Sequence, residues 1–164
     1  MNSSHKAQII ALKDLVLSIS DDQYTAKIDV LPHSTMGAHV RHLLEFFDCF
    51  LAGFEKKEVD YQNRKRDLSL EELPNKAVEK CDEIILAFSK LHLNANDLIV
   101  VWSEMDETPQ KLNSTVAREI EYLFHHMVHH LALIGVYLRS QGMNIPENFG
   151  VAPSTISFWE TSQQ

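Results

Sequence analysis

Glycine and cysteine are both scarce in this chain, and no apolar run is long. Five glycines in 164 residues form no phosphate-cradling loop and no dinucleotide fingerprint, which need glycine where backbone must approach a ligand closely. Two cysteines, Cys49 and Cys81, are too few for a disulfide framework. Both fall in helical contexts and read as reduced thiols, which points to a cytoplasmic setting. No apolar run reaches the roughly 18 residues that a membrane span needs. The stretch Met1-Asn2-Ser3-Ser4-His5-Lys6 lacks the apolar core and small-residue cleavage site of a secretory leader. Positive charge is in deficit too. The net charge is −8 and the pI about 5.5, so the basic footprint of a nucleic-acid binder is missing. The one basic cluster, Arg64-Lys65-Arg66, is short and flanked by acids. It reads as a solvated loop or a local anion contact.

Apolar residues make up 45% of the chain, enough for a real core in one domain over residues 1–164. Their spacing predicts four long helices. The first runs from about Ser4 to Ile19 on a stripe of Ile9, Ile10, Leu12, Leu15, Val16 and Ile19, with Ser3 or Ser4 as its cap. Ser20-Asp21-Asp22 ends it. A loop through Pro32-His33 follows, with a short extended piece around Tyr24 to Val30. The second helix opens at Ser34-Thr35 and continues to Phe54 on a stripe of Met36, Val40, Leu43, Phe47, Leu51 and Phe54, with Gly53 as a stop signal. A polar connection from Glu55 to Glu72 leads to the third helix, which starts at Pro74. Leu98 to Trp102 is β-branched and aromatic and predicts one strand of a small hairpin, returning through Lys111-Leu112. The fourth helix spans about Ser114 to Arg139, and Gly142 is available for a left-handed cap. The tail, with Phe149 and Phe158-Trp159, is too apolar for solvent and should dock on the body or on a second subunit. The expected fold is all-α, an antiparallel four-helix bundle with a short hairpin between helices three and four and an ordered C-terminal tail.

Against these scarcities stands one abundance. His125-His126-Met127-Val128-His129-His130 holds four of the nine histidines within the fourth helix. Histidines four apart share a helix face, so their imidazoles can converge on one metal ion. The run contains two such pairs, offset by about 100° of rotation, so they cannot serve one site. Val116, Ile120, Leu123, Met127, Leu131, Ile134 and Leu138 define the core stripe. His130 lies roughly 70–80° from its centre and His126 roughly 110–120° away on the same side. His125 and His129 face outward. The pair His126/His130 therefore borders the core, with Glu119 and Tyr137 on the same edge. A third ligand raises the case for a metal, and the second helix offers His39 and His42. Periodicity favours His39, which lies nearer that helix's stripe. Either could instead be a packing histidine held by a hydrogen bond. Two histidines from one helix and one from another leave open coordination positions, as in a catalytic or substrate-binding site. Neutral imidazoles suit Zn²⁺, Ni²⁺ or Fe²⁺ alike.

Ser34-Thr35-Met36-Gly37-Ala38-His39-Val40-Arg41-His42-Leu43 resembles the second-helix motif of the DinB/YfiT-like superfamily. His126-Met127-Val128-His129-His130 resembles its later HxxHH. Tyr61-Gln62-Asn63-Arg64-Lys65-Arg66-Asp67, Arg118-Glu119 and Asn148-Phe149-Gly150-Val151-Ala152-Pro153-Ser154-Thr155 are similar to one bacterial branch of it, so the likeness covers essentially the whole chain. The resemblance implies a four-helix bundle with a divalent metal on three histidines. Matched by position, these are His42, His126 and His130, so the motif and the periodicity disagree between His42 and His39. For activity it implies a metal-dependent enzyme of the thiol S-transferase or hydrolase type. Such an enzyme acts on a small molecule, with a low-molecular-weight thiol as cosubstrate. Glu119 or His129 would orient a ligand or move a proton, and Arg64 or Arg66 would hold a substrate carboxylate. The alternative is a non-catalytic stress or interaction module with a structural metal. A homodimer is the expected assembly in either case.

Overall fold

Apolar stripes at helical spacing build the core of this protein. The computed structural model describes residues 3–28, 34–103 and 108–162, with side chains from His5 onward. Among these residues the chain is mostly helical, with one small sheet. The long helices are α1 (Ser3–Ser18), α3 (Met36–Phe54), α5 (Pro74–Lys90) and α6 (Val116–Ser140). Their buried positions follow the stripes read from the sequence, except that Ile10 is exposed, Leu51 and Phe54 are half-buried, and Phe50 is buried in their place. They include Ile9, Leu12, Leu15 and Val16 on α1, Val40, Leu43, Phe47 and Phe50 on α3, and Ala77, Cys81, Ile84 and Phe88 on α5. On α6 the buried line is Val116, Ile120, Leu123, Met127, Leu131, Ile134 and Leu138. Helix α1 packs on α5, and α3 packs on both α5 and α6.

Three short helices join them: α2 (Asp21–Thr25), α4 (Ser69–Glu72) and α7 (Pro153–Ser162). Helix α2 replaces the extended piece expected at Tyr24. Ser20 and Gln23 form a capping box, each side chain bonding the other's backbone N–H, and this starts a new helical turn where α1 stops. Beyond it Lys27 bridges Thr35, and the end of the expected extended piece, Asp29 and Val30, lies outside the described residues. The expected Pro32-His33 loop and the Ser3 or Ser4 cap lie outside the described residues and side chains.

The hairpin is present as β2 (Leu98–Ser103) and β3 (Gln110–Thr115), antiparallel from Leu98↔Thr115 to Ser103↔Gln110. A third strand, β1 (Glu58–Val59), pairs in parallel with β2 at Val100 and Val101, giving the order β1-β2-β3. Gly53 is required for this pairing. A Cβ there would collide with the Glu58 carbonyl and lie 2.8 Å from Val59 Cγ2. Its role is close approach rather than a helix stop. Strand β1 leads directly into Tyr61 and Arg64, so the sheet lays this connection across α3.

Thr35 caps α3, its Oγ1 accepting from the Ala38 N–H at 2.9 Å, and Thr115 caps α6 in the same way. Gly142 has φ +77° and ends α6 as expected. The tail docks in part. Ile145 and Phe149 are buried, whereas Phe158 and Trp159 on α7 are 66% and 43% exposed. Cys49 and Cys81 are both free thiols. No helix among the described residues is long and apolar enough to cross a membrane.

Candidate metal centre

Helices α3 and α6 bring four histidines together beside their apolar contact. His42 and His39 lie in the first turns of α3, flanking Val40 and Leu43. His126 and His130 lie one turn apart on α6, flanking Met127. The Nε2 atoms of His42 and His126 are 3.2 Å apart, and those of His126 and His130 are 2.9 Å apart. The ligand atoms of these three residues all lie within 4.8 Å of one another. His39 approaches from the other side, with its Nδ1 2.8 Å from His130 Nδ1. His39 therefore backs His130, whereas His42 turns its Nε2 toward the α6 pair. The exposed His125 and His129 stand outside the cluster, although the His129 ring meets the edge of His130 at 5.0 Å.

Burial keeps the rings neutral. Desolvation first, then neighbouring rings and Arg64, lower the His42 and His126 pKa values to about 4, and desolvation with the neighbouring rings lowers that of His130 to about 3. Neutral imidazoles with converging lone-pair positions are the donor set a divalent ion takes. With bonds of about 2.0–2.1 Å, tetrahedral ligand atoms lie about 3.3 Å apart and octahedral neighbours about 2.9 Å apart. The separations of 2.9 and 3.2 Å to His126 fit that range, and the third pair, His42 and His130, lies within 4.8 Å and would close around an ion. The residues present therefore fit such an ion.

An aromatic wall closes one side. Phe46 lies 4.4 Å from the His126 ring and 4.8 Å from His42, and Tyr122 stacks on His126 at 5.9 Å. Tyr61 stacks on Phe46 at 5.1 Å. Its hydroxyl donates to Glu119 at 3.0 Å, and the Ser114 hydroxyl donates to the same carboxylate at 2.6 Å. Glu119 is thus engaged with Tyr61 and Ser114 at the floor of a cavity of about 410 Å³, which Phe46, Tyr122, Trp102 and Arg118 also line.

Arg64 closes another side. Its Nη2 is 2.9 Å from His42 Nδ1, its Nη1 donates to the Tyr61 carbonyl at 2.9 Å, and its guanidinium lies 4.7 Å over the Phe46 ring. Its Nε faces Glu45 at 3.4 Å. Glu45 is 2% exposed and also accepts from Arg41 Nη1 at 3.2 Å and the Asp67 N–H at 2.8 Å. Arg66 is exposed and takes no part. Sequence reasoning missed Tyr122 and the Glu45 clasp. A signal for Glu45 was present, since a glutamate between apolar residues on the buried side of α3 demands a cation.

A mostly helical protein with three histidines converging from two helices defines a class, that of helical proteins built to offer imidazoles to a divalent ion. The family follows from the chain itself. The DinB family model matches residues 3–151, and the protein belongs to the DinB family. No curated protein matches the chain.

Proposed function

We propose that this protein is a DinB-family metalloprotein whose four long helices form an antiparallel four-helix bundle holding one divalent ion on His42, His126 and His130. The convergence of three neutral Nε2 atoms, 2.9 and 3.2 Å apart, carries the reading. We further propose metal-dependent enzyme activity on a small molecule, of the thiol S-transferase or hydrolase type. When bound, a divalent ion supplies Lewis acidity, which lowers the proton affinity of a thiol or water beside it. The protein's own residues do the rest. Phe46, Tyr61 and Tyr122 keep water from one side of the histidines. The cavity beside Glu119 is lined by Phe46 and Tyr122 but by none of the three histidines; a small molecule held there would reach them past that wall, with Arg118 offering a carboxylate a partner. His129, exposed and in ring contact with His130, is placed to pass a proton to solvent. The exposed Phe158 and Trp159 of α7 support a homodimer contact.

Metal analysis of protein purified without a nickel column tests the centre. The expected content after supplementation is about one ion per chain, lost in His42→Ala and His126→Ala. A content below about 0.1 per chain for the wild type rules the site out. A full complement with no turnover, and a melting temperature lowered by His42→Ala, would favour a structural metal in a non-catalytic module.

A further inference from the structure

Hydrogen-bond direction makes the three histidines unequal. A guanidinium only donates, so Arg64 Nη2 at 2.9 Å requires the lone pair of His42 Nδ1. A neutral imidazole carries one proton, and that of His42 then sits on Nε2. His42 thus turns an N–H, not a lone pair, toward the centre. The His126 Nε2, 3.2 Å away, accepts it. His126 Nε2 also faces His130 Nε2 at 2.9 Å, and since its one lone pair cannot meet another lone pair there, the His130 proton sits on Nε2 and shares that lone pair with the His42 N–H in a three-centre contact. His130 Nδ1 then accepts from His39 Nδ1. Among the imidazoles of the cluster, His126 Nδ1 and His39 Nε2 have no hydrogen-bond partner in their buried positions, and Arg64 Nε has only its ion-pair contact with Glu45.

To ligate through Nε2, His42 and His130 must each carry the proton on Nδ1 instead. His130 can make this change freely, because its partner is reversible. The Nδ1–H of His130 donates to His39 Nδ1, and His39 protonates on Nε2. His42 cannot, because its partner is Arg64. An Nδ1–H there would face a guanidinium N–H, whereas a ligating histidine is ordinarily held by a carboxylate, carbonyl or water at that position. Arg64 does not drift away easily, since the Tyr61 carbonyl, Glu45 and the Phe46 face hold it.

We propose that Arg64 is a positioning residue that opposes metal loading, holding His42 in the tautomer that cannot ligate, while His39 is the reversible partner that readies His130. The inference rests on the three-histidine reading above. Arg64 therefore weakens the site and makes its ion exchangeable. All rings stay neutral throughout, and only the place of a proton changes.

Competition titration of Co²⁺ and Zn²⁺ against a chelator, with wild type and Arg64→Gln, Arg64→Met and Arg64→Lys, tests this. A glutamine carbonyl accepts from Nδ1–H, so Arg64→Gln should bind metal tighter than wild type by about tenfold or more. Arg64→Met should lie between them, and Arg64→Lys, still donor-only, should stay weak. Two-bond ¹H–¹⁵N spectra of the metal-free wild type should show His42 protonated at Nε2, and those of Arg64→Gln at Nδ1. Equal or weaker metal binding by folded Arg64→Gln, or an Nδ1 proton on His42 in the metal-free wild type, overturns the proposal. If wild type binds neither ion, the metal centre itself falls. The tautomer of His42 in the wild type is readable without any variant, so it decides the Arg64 contact even then.

Discussion

Glu45 shows how single residues carry the electrostatics of this site. Its carboxylate is 2% exposed and lies between Arg41 and Arg64, whose side chains are 16% and 10% exposed. Removing one member of a buried ion cluster costs more than the cluster contributes, because the remaining charge is left desolvated. Glu45→Ala should therefore destabilise the protein by about 3 kcal/mol, measured by urea unfolding. Arg41 retains Glu71 at 2.9 Å, so Arg64 is the cation left short of a partner. Glu45→Gln keeps the shape and two acceptor contacts and should lose less. Equal stability of Glu45→Ala and wild type would mean that the cluster is solvated. The Tyr61 contact is smaller in scale. Tyr61→Phe removes one of the two hydroxyl donors to the buried Glu119 and should cost about 1–3 kcal/mol by the same measurement.

The elements differ in how far local sequence determines them. Helices α1, α3, α5 and α6 were legible because burial on one face imposes a 3.6-residue period that needs no partner to be recognised. The hairpin was legible from its β-branched run. Strand β1 was not, since two residues carry no period and its pairing with β2 is a contact between distant segments. Helix α2 had a local signal in its capping box, overlooked because Ser20-Asp21-Asp22 also reads as a terminator. On the site, helical phase separated His126 and His130 from His125 and His129 but favoured His39 over His42, whereas it is His42 whose Nε2 faces His126. Both α3 histidines face α6, and what distinguishes them is their partners: His130 Nδ1 for His39, Arg64 for His42. Arg64 comes from a connection that periodicity cannot place. The tail depends on a single position. Gly150 has φ +74°, and a Cβ there would lie 2.5 Å from Ala132 N and 2.6 Å from Leu131 C on α6. Gly150→Ala combines left-handed strain with a backbone collision, so it should lift residues 145–151 from α6. The expected outcome is a loss of about 1–3 kcal/mol and faster proteolysis near the C-terminus. An unchanged cleavage pattern would show that α6 yields instead.

Taken as a whole molecule, the protein stores a pH dependence in its buried histidines. His5, His39, His42, His126 and His130 all have lowered pKa values, first because burial disfavours their charged forms. Glu121 partly offsets this at His5. With folded values below the unfolded value of about 6.5, the unfolded chain binds more protons as the solution turns acidic. The stabilising contribution is thus complete above about pH 6.5 and is lost as the pH falls through the folded values, near 4 for His42 and His126. Glu58 and Asp67 are lowered by hydrogen bonds and titrate below this window, and Asp48, raised by burial, works against the trend, so the histidines carry the acid sensitivity from pH 7.5 to 5. The metal-free protein should accordingly melt at a lower temperature at pH 5 than at pH 7.5. A His126→Gln/His130→Gln variant should show a shallower slope between the two. Metal binding requires the same neutral rings, so it reinforces the trend. Added Zn²⁺ should raise the melting temperature of the wild type at pH 7.5, by about 2.7 kcal/mol of stability at a hundredfold excess over its dissociation constant, and have little effect at pH 5. Melting scans at the two pH values, with and without Zn²⁺, separate the contributions. A pH slope that survives the double substitution would assign the acid sensitivity to His5 and the rest of the core rather than to the cluster between α3 and α6.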